Sequence, residues 1–556
     1  MDRLLESSSM SATSVLTFIA GLVVLYVSMH PPCLAASSKG NPSNESLLVT
    51  TKTATLICYH LWLHGLARYP GPLFAKACSV PNWYHAAKGD RHEWLHELHD
   101  RYGSAVRFAP NSVSFDTAEA VESIYKTSKA NLTKSDWYQC VRDSAGGFES
   151  TFTARQKSRH AIKRRLLSHA FSERALRDYE PRICSLVAIW LDCLEAEAKK
   201  GAASLDLGDW CNYLIFDILG DLAYGSSFGL TKDTEDRSIV GLIPKATGGW
   251  YSLGYHPWSR LLRYILFKTR LGSFLGGQSF HDNVQFRTFC LSKLKERRQR
   301  TAAAAAAAVQ GGATKREGSK DMFEHLLNGQ DPQTGESYSI GDLACESVLL
   351  MVAGSQSTSG GLAATFFYLS HHPSKLAKLR AEIHAAFDSE ECIRYTSGNK
   401  LLTLPYLRAC INESLRLSPP TPGHLPREIG DGAGMTIGAR WCPPSTIVGV
   451  SPYAIHRNKL YFSDPFAFSP ERWLGQNKTS QIPAFAFTPF SAGTTGCIGQ
   501  QLAMMELSIA IARTLWRFDL HASLGSTESP VEYRMKDRFV GQAIGPRVRL
   551  VLCPPS

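Results

Sequence analysis

The sequence predicts a mainly helical body carried behind an amino-terminal membrane anchor. Three stretches support this. Ser11 to Met29, "SATSVLTFIAGLVVLYVSM", is nineteen residues without a charge. At about 1.5 Å per residue that length crosses a bilayer core of about 30 Å. Leu343 to Ser370, "LACESVLLMVAGSQSTSGGLAATFFYLS", keeps helical apolar spacing well beyond the length of an average helix. "CIGQQLAMMELSIAIARTLWRF", from Cys497, repeats the helical period near the other end.

The chain has 556 residues, 44% hydrophobic and 20% charged, the balance of a globular protein with a large core. The formal charge is +11, from 60 basic and 49 acidic residues. The densest basic runs are Lys163-Arg164-Arg165 and "KLKERRQR", Lys293 to Arg300. Neither is interleaved with aromatics or framed by a nucleic-acid module, so both read as helix faces toward solvent, an acidic protein or an anionic membrane. Fourteen cysteines form no Cys-x-x-Cys pair, which argues against a structural zinc or thioredoxin-like site. The pattern fits a reducing compartment, with most thiols acting as small core hydrophobes.

Residues 1–68 read as an anchor region. His30-Pro31-Pro32 ends the first span, and the small residues after Cys33 offer a cleaved signal as the alternative. Leu47 to Leu66 is less apolar, with Lys52, His60 and His64, and reads as a second span or an interfacial helix. Asn44-Glu45-Ser46 between them is a glycosylation sequon, lumenal if both segments span. Tyr69 to Lys76, "YPGPLFAK", has two prolines and predicts a stiff, extended hinge into a body of residues 69–556. Thr301 to Lys320 predicts a short alanine helix and a loop.

Ser339-x-x-Asp342 is a capping box for the long helix, and His371-His372-Pro373 stops it. At its centre, Ala353-Gly354-Ser355-Gln356-Ser357-Thr358 places small and hydroxyl residues in an apolar helix. Either another helix packs closely there, or a flat ligand presses on the backbone and the hydroxyls relay protons. Farther on, Glu413 and Arg416 share a helix face at i and i+3. Arg472, in the loop "DPFAFSPERW", is placed to bridge to Glu413 and tie loop to helix. The alternative is an ordinary surface ion pair.

The turn "FSAGTTGCIGQ", Phe490 to Gln500, sets Cys497 among Gly493, Gly496 and Gly499 at the opening of a helix. The positive end of a helix favours a thiolate, and glycines permit tight turns and close approach. A cysteine phosphatase would need an arginine shortly after the thiol, where the sequence reads Ile-Gly-Gln-Gln-Leu-Ala. A cysteine protease would need a histidine signature. A haem-thiolate site needs a thiolate on a glycine turn and an apolar groove opposite.

In this order and spacing the motifs resemble the cytochrome P450 family, membrane-anchored fungal type, from Tyr69 onward. They are the proline segment, the long helix, Glu413-x-x-Arg416, Pro470-Glu471-Arg472-Trp473 and Phe490-x-x-Gly493-x-x-x-Cys497-x-Gly499. The resemblance implies a mainly α fold with small β-sheets. It implies haem b with Cys497 as its metal ligand, Phe490, Gly493 and Gly499 shaping the ligand loop, and a structural lock of Glu413, Arg416 and Arg472. His160-x-x-x-Arg164 stands where the family often has Trp-x-x-x-Arg, so His160, Arg164 and Arg427 are candidates for the haem propionates. Thr421 to Leu425 would border the substrate pocket. Two positions depart from the family: Thr495 replaces a basic residue, and Gln356 replaces the acid of an acid–alcohol pair. Proton delivery is then expected from Ser357, Thr358 and water, with Gln356 unable to ionise. The implied activity is insertion of one oxygen atom from O2 into a hydrophobic small molecule in fungal secondary metabolism. Too little chain follows Cys497 for a flavin domain, so NADPH–cytochrome P450 reductase is the expected partner, docked with help from Lys163 to Arg165. The expected location is the endoplasmic reticulum membrane, with the body facing the cytosol and no nucleic-acid partner. The missing acid keeps open an oxidation without oxygen insertion, such as coupling or ring closure. A non-catalytic haem sensor is the reading from another class.

Overall fold

The computed structural model describes residues 42–127, 130–201, 204–309, 321–395, 400–475, 482–523 and 532–553. Ser11–Met29, His30 to Pro32, Cys33 and most of the loop after the alanine run lie outside them. The elements that position the site are, in chain order, α1 (Pro42–Cys58), β1 (Ala105–Ala109), β2 (Ser112–Phe115), β3 (Leu132–Lys134), α2 (Trp137–Ser144), α3 (Lys157–Ser168), α4 (Glu173–Lys199), α5 (Leu207–Tyr224), α6 (Ser238–Tyr255), α7 (Gly277–Val309), α8 (Ile340–His371), α9 (Pro405–Leu417), β4 (Arg427–Ile429), β5 (Ile447–Val450) and α10 (Gln500–Arg517). Helices dominate, as the sequence predicts. The strands form a five-stranded sheet in the order β1-β2-β5-β4-β3 and three smaller sheets.

The capping box at Ser339 forms, with the Asp342 amide donating to Ser339 Oγ at 3.1 Å and the Ser339 amide donating back to Asp342 Oδ2 at 3.4 Å. From it α8 runs through the middle of the body and packs on α5, α7, α9 and α10. Most of its residues are buried on all sides, so its apolar pattern is broad rather than a single stripe. The alanine run continues α7 as far as Val309.

Of the amino-terminal expectations, the one for 47–66 narrows and the one for 69–76 changes, while Ser11–Met29 stays outside the described residues. Among the described residues no helix is long and apolar enough to cross a membrane. Within 47–66, α1 ends at Cys58 and a single π turn, Tyr59–Leu63, follows. The segment 69–76 is not a free hinge. Tyr69 is buried with its hydroxyl donating to Trp441 O at 2.9 Å, Pro70 O accepts from Arg107 N at 2.8 Å, and a short helix starts at Leu73. The prolines fix a path along β1, whose backbone donor holds it there.

Glu413 is fully buried on α9 and has five donors. Arg416 Nε and Nη2 each lie at 2.9 Å, Arg472 Nε at 3.0 Å, Trp473 Nε1 at 2.9 Å and the Ser469 amide at 2.9 Å. The rest of the Arg416 guanidinium donates to the carbonyls of His456, Pro465 and Ala467. The His456 ring continues the chain: Nδ1 donates to Arg416 O at 3.2 Å, and Nε2 accepts from Thr488 N at 2.9 Å. Burial and the neighbouring Arg416 hold His456 well below its ordinary pKa, consistent with a neutral ring donating from one nitrogen and accepting at the other. Trp473 also packs on Phe487, with ring centroids 4.5 Å apart. One carboxylate therefore reaches the loop that leads to Cys497. Removing it would leave Arg416 buried without its counter-charge. Glu413→Ala is expected to lower unfolding free energy by about 3–5 kcal/mol in urea melts. A loss below about 1 kcal/mol would show that the carboxylate does not hold this region together.

Candidate functional site

The cysteine loop is closed by its own backbone. Cys497 N donates to Phe490 O at 2.8 Å, and Gly496 N donates to Gly493 O at 3.0 Å. Gly493 has φ +66°, and a Cβ there would lie 2.2 Å from Tyr125 O, so both the turn and the close approach demand glycine. Phe490 and Ile498 lean on the main core. α10 starts at Gln500 with Gly499 as its N-cap, which puts Cys497 two residues before the cap. The thiol pKa is raised by burial, against the Gly499 amide and Arg164, which pull it down. The lowered value expected from the helix end therefore does not appear. The helix dipole fades within a turn, and desolvation disfavours the anion. Cys497 is nevertheless an exposed residue. The residue is thus accessible while its thiol is desolvated. Ala353, near the middle of the largely buried α8, is exposed as well.

Bases gather around this loop. Arg427 Nη2 donates to Thr495 Oγ1 at 3.1 Å, and Nη1 donates to Tyr138 Oη at 2.7 Å. In the antiparallel pairing of β3 and β4, Lys134 stands directly opposite Arg427. Lys134 is 6% exposed and Arg427 5%. Lys134 Nζ donates to Phe152 O at 2.7 Å and Thr151 O at 3.1 Å. His160 and Arg164, one turn apart on α3, are half-buried, and their side chains have no hydrogen-bond or ion-pair partner among the described residues. Burial, then Lys134, Arg164 and Arg427, hold His160 at about 3. Burial, then Arg427, push Lys134 well below its ordinary value. Arg164 is lowered by burial and steadied by Cys497. Four bases from three elements thus face one another with no paired carboxylate. The sequence reading found three of them. Lys134 carries no motif and emerges only from the strand register. The Thr495 departure acquires a reason too: a cation at that position would meet the Arg427 guanidinium.

The three polar residues of α8 point three ways. Ser357 is half-buried and donates to Ala353 O at 2.5 Å. Thr358 is buried against Glu506 of α10, which burial raises to about 8 against the Thr358 hydrogen bond. Gln356 lines a separate cleft of about 430 Å³ with Asp209 and Asn212 of α5. Ser359 Oγ donates to Asn212 Oδ1 there at 2.7 Å. Gly354 meets Leu219 of α5, to which a Cβ would come within 3.1 Å, so this glycine serves helix packing.

The basic run expected to dock a partner does not form a surface patch. Lys163 is 3% exposed and pairs with Asp342 at 2.7 Å. Arg165 forks onto Asp331 at 2.6 and 2.9 Å and holds that carboxyl well below its usual range. Arg164 turns toward the site. These pairs clamp α3 to the first turn of α8 and to the segment before it, so two of the three charges in the run are paired within the body.

An enzyme that works on oxygen with an iron porphyrin is the class this body belongs to. The chain is a member of the cytochrome P450 family, whose pattern matches residues 70–543. It is 35% identical over 495 residues to cytochrome P450 monooxygenase poxM of Penicillium oxalicum, covering 88% of this chain and 91% of that protein. It is 34% identical to cytochrome P450 monooxygenase fscF of Fusarium equiseti and 31% to atnE of Emericella nidulans, each across 88% of this chain and 92% of the relative. The protein is therefore a monooxygenase whose cofactor is haem b with a cysteine thiolate as axial ligand.

Thr495→Arg restores the basic residue usual in the family. It is expected to lower the thermal midpoint of the haem-free protein, with part of the loss recovered in about 1 M salt, which screens the new repulsion. A raised midpoint would show that the site admits a second guanidinium.

Proposed function

We propose that Cys497 is the iron ligand and that the chain inserts one oxygen atom into a hydrophobic small molecule in fungal secondary metabolism. The observation that carries this is an accessible cysteine with a desolvated thiol, set beside bases without counter-charge. The fit is one of chemistry: an iron porphyrin brings a metal for the sulfur and two carboxylates for the bases. The other exposed cysteine among the described residues, Cys392, sits in a short turn with Glu390 and Glu391. Cys442 is buried against the Tyr69 hydroxyl at 3.1 Å, leaving no room for a macrocycle.

Haem bound there supplies the activation of O2, with electrons delivered by a reductase. The chain's residues hold and shape that chemistry. The Gly499 amide steadies the sulfur charge. Phe490 packs beside the loop, and Gly493 lets it press on the segment at Tyr125. His160, Arg164 and Arg427 bind the carboxylates, with Thr495 positioning Arg427. Glu413, Arg416 and Arg472 hold the approach to the loop. Ser357 carries the exchangeable proton nearest the exposed Ala353, while Gln356 orders water in the cleft behind α8. Thr358 faces Glu506 and holds α8 on α10.

The fungal relatives support the metabolic setting. Membrane attachment through Ser11–Met29 is supported by its uncharged run and by the exposed Leu56, Tyr59, Trp62 and Leu63 just beyond α1 or at its end. This reading places the body on the cytosolic face of the endoplasmic reticulum with NADPH–cytochrome P450 reductase as the electron donor.

The reduced protein with carbon monoxide should show the strongly red-shifted Soret band of thiolate ligation, lost in Cys497→Ser. Haem bound without that band in the wild type would sink the assignment. Ser357→Ala should keep the band and substrate affinity but lower product formed per NADPH consumed. Unchanged coupling would remove Ser357 from proton delivery.

A further inference from the structure

Lys134 has no part in the assignments above, and its position is unfavourable without one. Like charges directly opposite on paired strands repel, and a buried charge without a counter-ion is costly. Nevertheless Lys134 and Arg427 are cross-strand partners, both buried, with Arg164 of α3 acting on Lys134 and His160 of α3 within reach of both. The acids nearby do not neutralise them. Glu149 acts on Lys134 only at a distance. Glu346 of α8 is taken by Thr151 N and Oγ1 at 2.6 and 2.7 Å and is itself raised to about 7 by burial. Asp342 is taken by Lys163. The phenol of Tyr138 bonds Arg427, and its ring lies 5.6 Å from Lys134 Nζ. Two carbonyls accept from Lys134 Nζ, which leaves one of its three ammonium protons without an assigned acceptor.

We propose that Lys134 is a further binding residue for the cofactor's carboxylates, and that this cluster takes up a proton as they bind. This rests on the haem reading of the preceding section. Free of the dianion, Lys134 sheds its proton because burial disfavours its charge and Arg427 and Arg164 repel it, which outweighs the opposing pull of Glu346 and Glu149. Two carboxylates reverse the local field, and the amine recovers a proton from solvent. The sign follows from linkage. A group whose pKa rises on binding strengthens binding below its free value. That contribution falls as pH rises through the bound value, by up to about tenfold per pH unit for one proton. Ionisation of Cys497 on ligation has the opposite sign, but it is common to wild type and variant and drops out of their comparison.

The experiment follows haem loss from the holoprotein to excess apomyoglobin between pH 6 and 9, for wild type and Lys134→Met. Both must first show the thiolate carbon monoxide band. If the wild type lacks it, the haem reading has failed rather than this inference. At pH 6 the variant should lose haem about tenfold faster, the scale of one charge-assisted hydrogen bond. The two should converge toward pH 9. In weakly buffered indicator solution, haem departure from the wild type should release about one more proton than departure from the variant. Parallel pH profiles and equal proton release would overturn the proposal. Should Lys134→Met fail to fold, Lys134→Gln, which keeps hydrogen-bond donors without the charge, goes through the same comparison. It too should lose haem faster at pH 6 and converge on the wild type toward pH 9, whereas a profile parallel to the wild type would overturn the proposal.

Discussion

The buried Glu413 carboxylate is the interaction on which the rest of the site depends. It sits at the end of α9 and gathers donors from its own helix, from the loop at Ser469 and from Arg472 and Trp473. Through Arg416 and His456 the network extends to the Thr488 amide, two residues before Phe490. The cysteine loop has little regular structure of its own. Its shape is inherited from a polar network in which each guanidinium and ring finds a partner. A buried ion pair is a weak source of net stability, because desolvation offsets attraction. Its value here is geometric: it admits one arrangement of loop against helix.

A second constraint opposes the first. Lys134, Arg427, His160 and Arg164 are held together although their charged forms would repel. Strands β3 and β4 fix two of them by register. The pairs Lys163–Asp342 and Arg165–Asp331 fix α3, which carries the other two. Paired charges on α3 therefore hold the unpaired ones of the same helix in place. Local conflict of this kind, surrounded by consistent packing, is the usual mark of a binding site. Thr495 fits the same economy of charge, accepting from Arg427 without adding to the repulsion.

The centre of α8 shows how one polar stretch divides among several tasks. Residues 356 to 358 are adjacent in sequence, but a helix turns about 100° per residue. Gln356 reaches the cleft beside α5, Ser357 bonds back within its helix, and Thr358 meets Glu506. The acid–alcohol pairing suggested by the sequence order becomes three separate environments, with only Ser357 placed for the exposed stretch at Ala353.

Much of this was legible in the linear chain. The capping box at Ser339, the helical periods of α8 and α10, the Glu413-x-x-Arg416 spacing and the glycines around Cys497 are local patterns whose geometry a few residues set. What the chain alone could not reveal depends on contacts between distant segments. The Lys134–Arg427 pairing requires the register of two strands almost three hundred residues apart. The pairing of Lys163 and Arg165 requires the segment at Asp331 to Asp342 to fold over α3. The raised thiol of Cys497 requires the body that buries it, since desolvation is a property of surroundings and not of spacing. Periodicity, caps and turns belong to the sequence because they act within a few residues, whereas charge states belong to the folded molecule because they sum over every group the fold brings near.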